Sequence, residues 1–151
     1  MRKPIKLITS FFYLGHSPFM PGTVGSLAGL IVYSMVKNST LLHIFSFFFL
    51  FMLGMIFSTE AEKVYKRKDA NMIVIDEAVG MLLALFLVPY RFWLVMAGFV
   101  LFRLFDIIKP PPARRVEAVS GAFGIMFDDI IAAIYTNVIL QLVVHIWHIT
   151  I

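Results

Sequence analysis

The sequence predicts an all-α integral membrane protein, a bundle of about four to five short helices behind an N-terminal interfacial segment. Three observations predict it. Of the 151 residues, 60% are hydrophobic and 15% charged, whereas soluble domains run near one half and one quarter. The apolar residues fall into five stretches, at 23–36, 41–57, 72–88, 92–108 and 130–149. Between and beside them lie the charged residues and the helix breakers. Residues 1–151 read as a single membrane-embedded domain, with no long polar linker, internal repeat or low-complexity tract.

Each element follows in order. The N-terminal segment carries Arg2, Lys3 and Lys6 ahead of an apolar run at 11–14. That run is too short for a signal-peptide core, so the segment is expected to stay on the chain as an amphipathic, interfacial piece. Pro18, Pro21 and Gly22 introduce the first stretch, which is short enough for a re-entrant helix. A crossing takes about 20 residues, and only the second and fifth stretches read as simple spans. Pro89-Tyr90-Arg91 divides the third from the fourth. Lys109 and three successive prolines end the fourth, because proline cannot continue a helix.

Charge then sets the sides. With the N-terminus inside, five crossings leave Lys37 and Arg91 outside and Arg2, Lys3, Lys6, Lys63, Lys66, Arg67, Lys68, Lys109, Arg114 and Arg115 inside. The acids were not used in that assignment. Glu60, Glu62, Asp69, Asp76, Glu77, Asp106, Glu117, Asp128 and Asp129 nevertheless all fall at inner helix ends or in inner loops. This pattern points to one polar site at the cytoplasmic membrane face. His43, His145 and His148 fall outside and read as interface residues. The net charge of +4 reads as topology and lipid head-group contact, not as nucleic-acid binding. Cysteine is absent, which excludes thiolate chemistry and disulfides.

Four segments carry the chemistry. In Ile-Val-Ile-Asp-Glu-Ala-Val-Gly (73–80), Asp76 and Glu77 interrupt an apolar run. A helix N-terminus favours acids through its dipole, and a metal site favours them as ligands. In Phe-Arg-Leu-Phe-Asp-Ile-Ile-Lys-Pro (102–110), Arg103 and Asp106 share a helix face. They read either as an intrahelical ion pair or as a phosphate-binding fork beside a metal ligand. Lys109 is a second phosphate ligand in that reading. In Gly-Ala-Phe-Gly-Ile-Met-Phe-Asp-Asp (121–129), Asp128 and Asp129 are expected to open the fifth helix, as caps or as ligands. The segment His-Ser-Pro-Phe-Met-Pro-Gly-Thr-Val-Gly-Ser (16–26) offers Thr23, Ser26 and backbone N–H groups as an anion seat, or small residues for helix contact. Hard divalent cations prefer carboxylate oxygens, and Mg²⁺ commonly combines one or two carboxylates with phosphate. The acids therefore read as a Mg²⁺ site for a phosphate-bearing substrate. No metalloprotease or serine-hydrolase signature competes, and attack by water or by an aspartate stays open.

Taken together and in this order, Pro-Gly-Thr-Val-Gly-Ser (21–26), Ile-Val-Ile-Asp-Glu with Gly80, Phe-Arg-Leu-Phe-Asp-Ile-Ile-Lys-Pro and Gly-Ile-Met-Phe-Asp-Asp (124–129) resemble the phosphatidylglycerophosphatase A family. The resemblance implies a Mg²⁺-dependent phosphatase of the bacterial inner membrane, multi-pass, with its site facing the cytoplasm. It would convert phosphatidylglycerophosphate into phosphatidylglycerol. Matched by position, Thr23, Ser26, Asp76, Glu77, Arg103, Asp106, Lys109, Asp128 and Asp129 fall on the family's polar motif residues, as does Asp69. From their chemistry, Asp76, Glu77, Asp106, Asp128 and Asp129 are the candidate catalytic residues. Asp69, Asp76, Glu77, Asp128 and Asp129 are the candidate metal ligands. Thr23, Ser26, Arg103, Lys109 and Arg114 are the candidate phosphate ligands. Three positions depart from the family pattern: Ala70, Ala122 and Ala133. The alternative reading of the acids is a cation-binding transporter or channel subunit, which needs polar groups leading to the outer side. A lipid head-group transferase is also disfavoured, for want of a dense Asp-x-x-Asp-Gly motif.

Overall fold

Described over residues 2–68 and 70–147, the computed structural model is all-helical, with no strand among those residues. The helices are α1 (Arg2–Thr9), α2 (Pro21–Val36), α3 (Thr40–Tyr65), α4 (Ile75–Ala84), α5 (Phe92–Ile108), α6 (Ala113–Glu117) and α7 (Ala122–Ile146). A short 3₁₀ turn, Leu14–His16, precedes α2. Two helices, α3 and α7, are long and apolar enough to cross a membrane, and they contain the two stretches that read as simple spans. α2 is apolar but shorter. One side of α3 leaves Leu41, Phe45, Phe48, Phe49, Met52 and Ile56 exposed, and α7 does the same with Ile134, Val138, Leu142 and Ile146.

The N-terminal segment is helical and packs its Ile5 and Ile8 against the lower core. α5 runs between the breakers that bound it in the sequence. Lys109 ends it in the left-handed region at φ 50°, and the prolines follow. Two expectations need correction. The third stretch is not one long helix. Ile73 and Val74 stay outside α4, and the helix stops at Ala84, before any proline. At about 1.5 Å per residue α4 is about 15 Å long, half of a hydrocarbon core. It is shielded by protein: apart from Glu77 and Leu83, its residues are buried. The fifth helix starts earlier than its apolar run, at Ala122, so Asp128 and Asp129 lie beyond its first turn and do not cap it.

α4 is the centre of the packing, against α2, α3, α5 and α7. Small residues on α2 permit the closest approach. A Cβ on Gly25 would meet Val74 at 2.7 Å, and one on Gly29 would meet the Ala78 carbonyl at 2.7 Å. Helix contact is therefore the role of these two glycines. Around the far half of α4, the core gathers Met81, Leu82, Leu85, Leu94, Phe102 and Leu140.

Ending a helix inside apolar packing leaves carbonyls without intrahelical partners, and an unmet buried carbonyl is costly. Side chains from three helices meet them. His43 bonds the Leu82 carbonyl at 2.9 Å. Asn137 donates to the Ala84 carbonyl at 3.1 Å and to the Phe86 carbonyl at 2.8 Å. Gln141 donates to Phe86 at 3.1 Å, and Tyr33 to Val88 at 3.4 Å. His43 is consequently a buried residue, only 5% exposed, and not the interface residue expected. His145 is exposed, and His148 lies outside the described residues. Replacing Asn137 by Leu keeps the volume and strips the Ala84 carbonyl of this donor. It is expected to destabilise the fold by about 1–3 kcal/mol, measured as a lowered unfolding midpoint of the purified protein in detergent.

Candidate active site

The start of α2, the start of α4, the end of α5 and the first turns of α7 meet at one end of the bundle. They enclose a cavity of about 310 Å³ whose charged lining is Asp76, Glu77, Arg103, Asp106, Lys109, Asp128 and Asp129. Local structure explains each placement. Asp76 and Glu77 occupy the first turn of α4, so the helix-dipole reading and the ligand reading coincide there. Gly121, at φ 84°, makes the backbone turn before α7, and the Ala122 N–H donates to Thr59 Oγ1 at 2.8 Å. Starting α7 at Ala122 carries Asp128 and Asp129 inward to the level of α4.

Asp76, Glu77 and Asp129 form the centre. Each offers a carboxylate oxygen, and these oxygens lie within 4.8 Å of one another. Asp76 is 7% exposed and Asp129 3%. Glu77 Oε2 and Asp129 Oδ2 are sealed from solvent and accept no hydrogen bond. Carboxylates crowded in this way repel one another and lose hydration, which a divalent cation would offset.

The cations sit at the flanks. Arg103 Nη1 bonds Asp106 Oδ2 at 2.5 Å and approaches Ser26 Oγ at 3.5 Å. The expected intrahelical pair thus exists, but it faces the cavity, and the buried Arg103 Nε donates to nothing. Lys109 bridges Asp128 Oδ2 at 2.5 Å and Glu117 Oε1 at 2.8 Å. Burial pushes the Lys109 ammonium down, yet these two carboxylates outweigh it and hold its pKa above the ordinary lysine value. Lys109 is therefore charged at any physiological pH. Asp128 Oδ1 also accepts the Asp129 N–H at 3.0 Å.

The expected site residues divide accordingly. Asp76, Glu77, Arg103, Asp106, Lys109, Asp128 and Asp129 come together in one cavity. Asp128 pairs with Lys109 and is not one of the three acids whose oxygens lie within 4.8 Å of one another. Ser26 lies behind Arg103, its hydroxyl donating to the Gly22 carbonyl at 3.0 Å. Thr23 is in the first turn of α2 but does not line the cavity. Arg114 lines a neighbouring depression instead. Asp69 lies outside the described residues.

Three contributors had no role assigned from sequence. Glu117 holds Lys109 from across the proline turn, a pairing that no helical spacing signals. Asn71 and Met20 line the cavity from loop positions, where single residues carry no periodic signal. Gly22 belongs to the segment read as an anion seat, and its bare Cα also matters, since a Cβ there would strike Glu77 Oε1 and the Arg103 guanidinium. Of the positions that depart from the family pattern, Ala122 and Ala133 are helical, and the positive φ falls on Gly121.

Comparison with known proteins identifies the family. The family model for phosphatidylglycerophosphatase A matches residues 7–144. The chain is 38% identical to the phosphatidylglycerophosphatase A of Haemophilus influenzae, over 90% of this chain and 86% of that one. It is 36% identical to the Escherichia coli phosphatidylglycerophosphatase A, over 97% and 87%. A protein of Bacteroides thetaiotaomicron, provisionally named a phosphatidylinositol-3-phosphatase, is 34% identical over 89% of each chain. No solved structure matches. None of these findings supports the transporter alternative. With its motif acids gathered in one cavity and the family match spanning nearly its whole length, the chain belongs to the phosphatidylglycerophosphatase A family.

Proposed function

We propose that this protein hydrolyses the terminal phosphate monoester of phosphatidylglycerophosphate, giving phosphatidylglycerol and phosphate. The observation that carries the proposal is the buried meeting of Asp76, Glu77 and Asp129, flanked by Arg103 and Lys109, in a chain of this family. The reaction depends on Mg²⁺. Asp76, Glu77 and Asp129 would hold the ion, an assignment supported by their all-oxygen donor set and by the buried Glu77 and Asp129 oxygens that accept no hydrogen bond. When bound, Mg²⁺ neutralises phosphate charge, polarises the P–O bond and positions the nucleophile.

The chain's own groups do the remainder. Five carboxylates face two cations in the cavity, so a phosphate approaching them without further positive charge is repelled. Arg103 offers its guanidinium to a phosphate oxygen, while Asp106 and Ser26 fix its plane. Lys109 adds a permanent positive charge at the opposite flank, held in place by Asp128 and Glu117. Hydrolysis breaks the bond between phosphorus and the glycerol oxygen. Water supplies the new oxygen on phosphate and the proton on the released alcohol.

The membrane reading is part of the proposal. α3 and α7 cross the bilayer, α2 and α5 accompany them, and α4 lies within the bundle. The positive-inside pattern puts the site at the cytoplasmic face of a bacterial inner membrane, where the acyl chains stay in lipid and the head group enters the cavity.

Two outcomes test this. Asp129→Asn is expected to lower Mg²⁺-dependent phosphate release by at least about a thousandfold, while membrane insertion and the unfolding midpoint stay near wild type. Full activity in that variant refutes the metal-ligand role. Gly22→Val drives a side chain into Glu77 and Arg103 and is expected to cost about a hundredfold in kcat/KM, read in the same phosphate-release assay on phosphatidylglycerophosphate.

A further inference from the structure

A second concentration of positive charge lies beside the acidic cavity. It is a depression of about 410 Å³ lined by Arg67, Lys68, Asn71, Arg114, Glu117 and Ala118. Two distant segments build it. Arg67 and Lys68 follow the end of α3, where Lys66 turns the chain in the left-handed region at φ 54°. Arg114 comes from α6. Lys68 Nζ donates to the Ala118 carbonyl at 2.8 Å and ties the two segments together.

Among the described residues, the charge balance of this depression is the reverse of its neighbour's: the one lining carboxylate, Glu117, is bonded to Lys109. Arg67 and Arg114 form no ion pair among the described residues. Cations serving only as topology signals have no need to converge from separate helices on one concavity. The two cavities also adjoin. Asn71 lines both, and the Lys109–Glu117 pair has one member in each.

Adjoining acidic and basic cavities suit a head group with two phosphates. A phosphatidyl lipid that ends in a phosphate monoester carries a second phosphate, the diester that joins its head group to diacylglycerol. Resting on the phosphatase reading above, we propose that Arg67, Lys68 and Arg114 form a second anion site, which holds that diester while the monoester lies among the carboxylates. Arginine suits the role because its planar fork meets two phosphate oxygens at once. The site selects such lipids over those whose monoester sits directly on diacylglycerol.

Steady-state kinetics of the full chain test this, in phosphatidylcholine–detergent micelles that contain no anionic bulk lipid. The substrates are phosphatidylglycerophosphate and phosphatidic acid, which lacks the diester. The double variant Arg67→Gln/Arg114→Gln is expected to raise KM for phosphatidylglycerophosphate about tenfold, with kcat within about twofold of wild type. KM for phosphatidic acid stays unchanged, or wild type fails to cleave that lipid at all; either supports the site. Arg67→Lys/Arg114→Lys, which keeps the charge, recovers most of the loss. An unchanged KM, an equal rise for both lipids, or a rise seen only after anionic lipid is added overturns the inference, the last by showing general attraction to a charged surface. If wild type releases no phosphate from either lipid, the phosphatase reading fails and takes the inference with it.

Discussion

The structure depends on a short helix finishing inside an apolar bundle. α4 has its acidic first turn at the cavity and its last carbonyls deep among other helices. Backbone groups in such a place must find partners, because neither water nor lipid supplies them cheaply. His43, Asn137, Gln141 and Tyr33 meet this need from α3, α7 and α2. With that end secured, α4 has a fixed depth, and the depth of Asp76 and Glu77 is fixed with it. The small residues on α2 then allow α2 to approach from one side, while Asp129 arrives from α7 on another.

Charge is arranged around this frame with little to spare. The central carboxylates are crowded, whereas each cation of the cavity has a carboxylate beside it. Arg103 is bound by Asp106 and Lys109 by Asp128 and Glu117. Paired cations keep their orientation, which a bare lysine or arginine on a long side chain would lose to rotamer entropy. The Lys109 pairs also join the end of α5 to α6 and α7, so that the walls of the cavity and its electrostatics rest on the same contacts.

Much of this was legible in the sequence, for definite reasons. α5 could be read because prolines bound it. The grouping of Asp76, Glu77, Asp106 and Asp129 could be read because charge in an apolar chain is costly and must be gathered somewhere. The limits of α4 could not. The run at 72–88 is apolar throughout, and the decision to leave the helix after Ala84 is made by side chains on other helices. The start of α7 was hidden in a similar way, since Gly124 reads as a breaker but sits within the helix, close against the Val119 carbonyl. His43 was misplaced because hydropathy alone does not reveal that a carbonyl waits for its ring. Arg114 was assigned to the same site as the other candidate phosphate ligands, but its surroundings put it in the adjoining depression.

One consequence follows from how the capped end of α4 is closed. Beyond the carboxylates lie Phe102, Met81, Leu82 and Leu85, all without solvent exposure. That close-packed apolar layer is a floor, so a head group can descend no deeper than the carboxylates, and the depth at which its phosphate rests is set by where the polar lining gives way to hydrocarbon side chains.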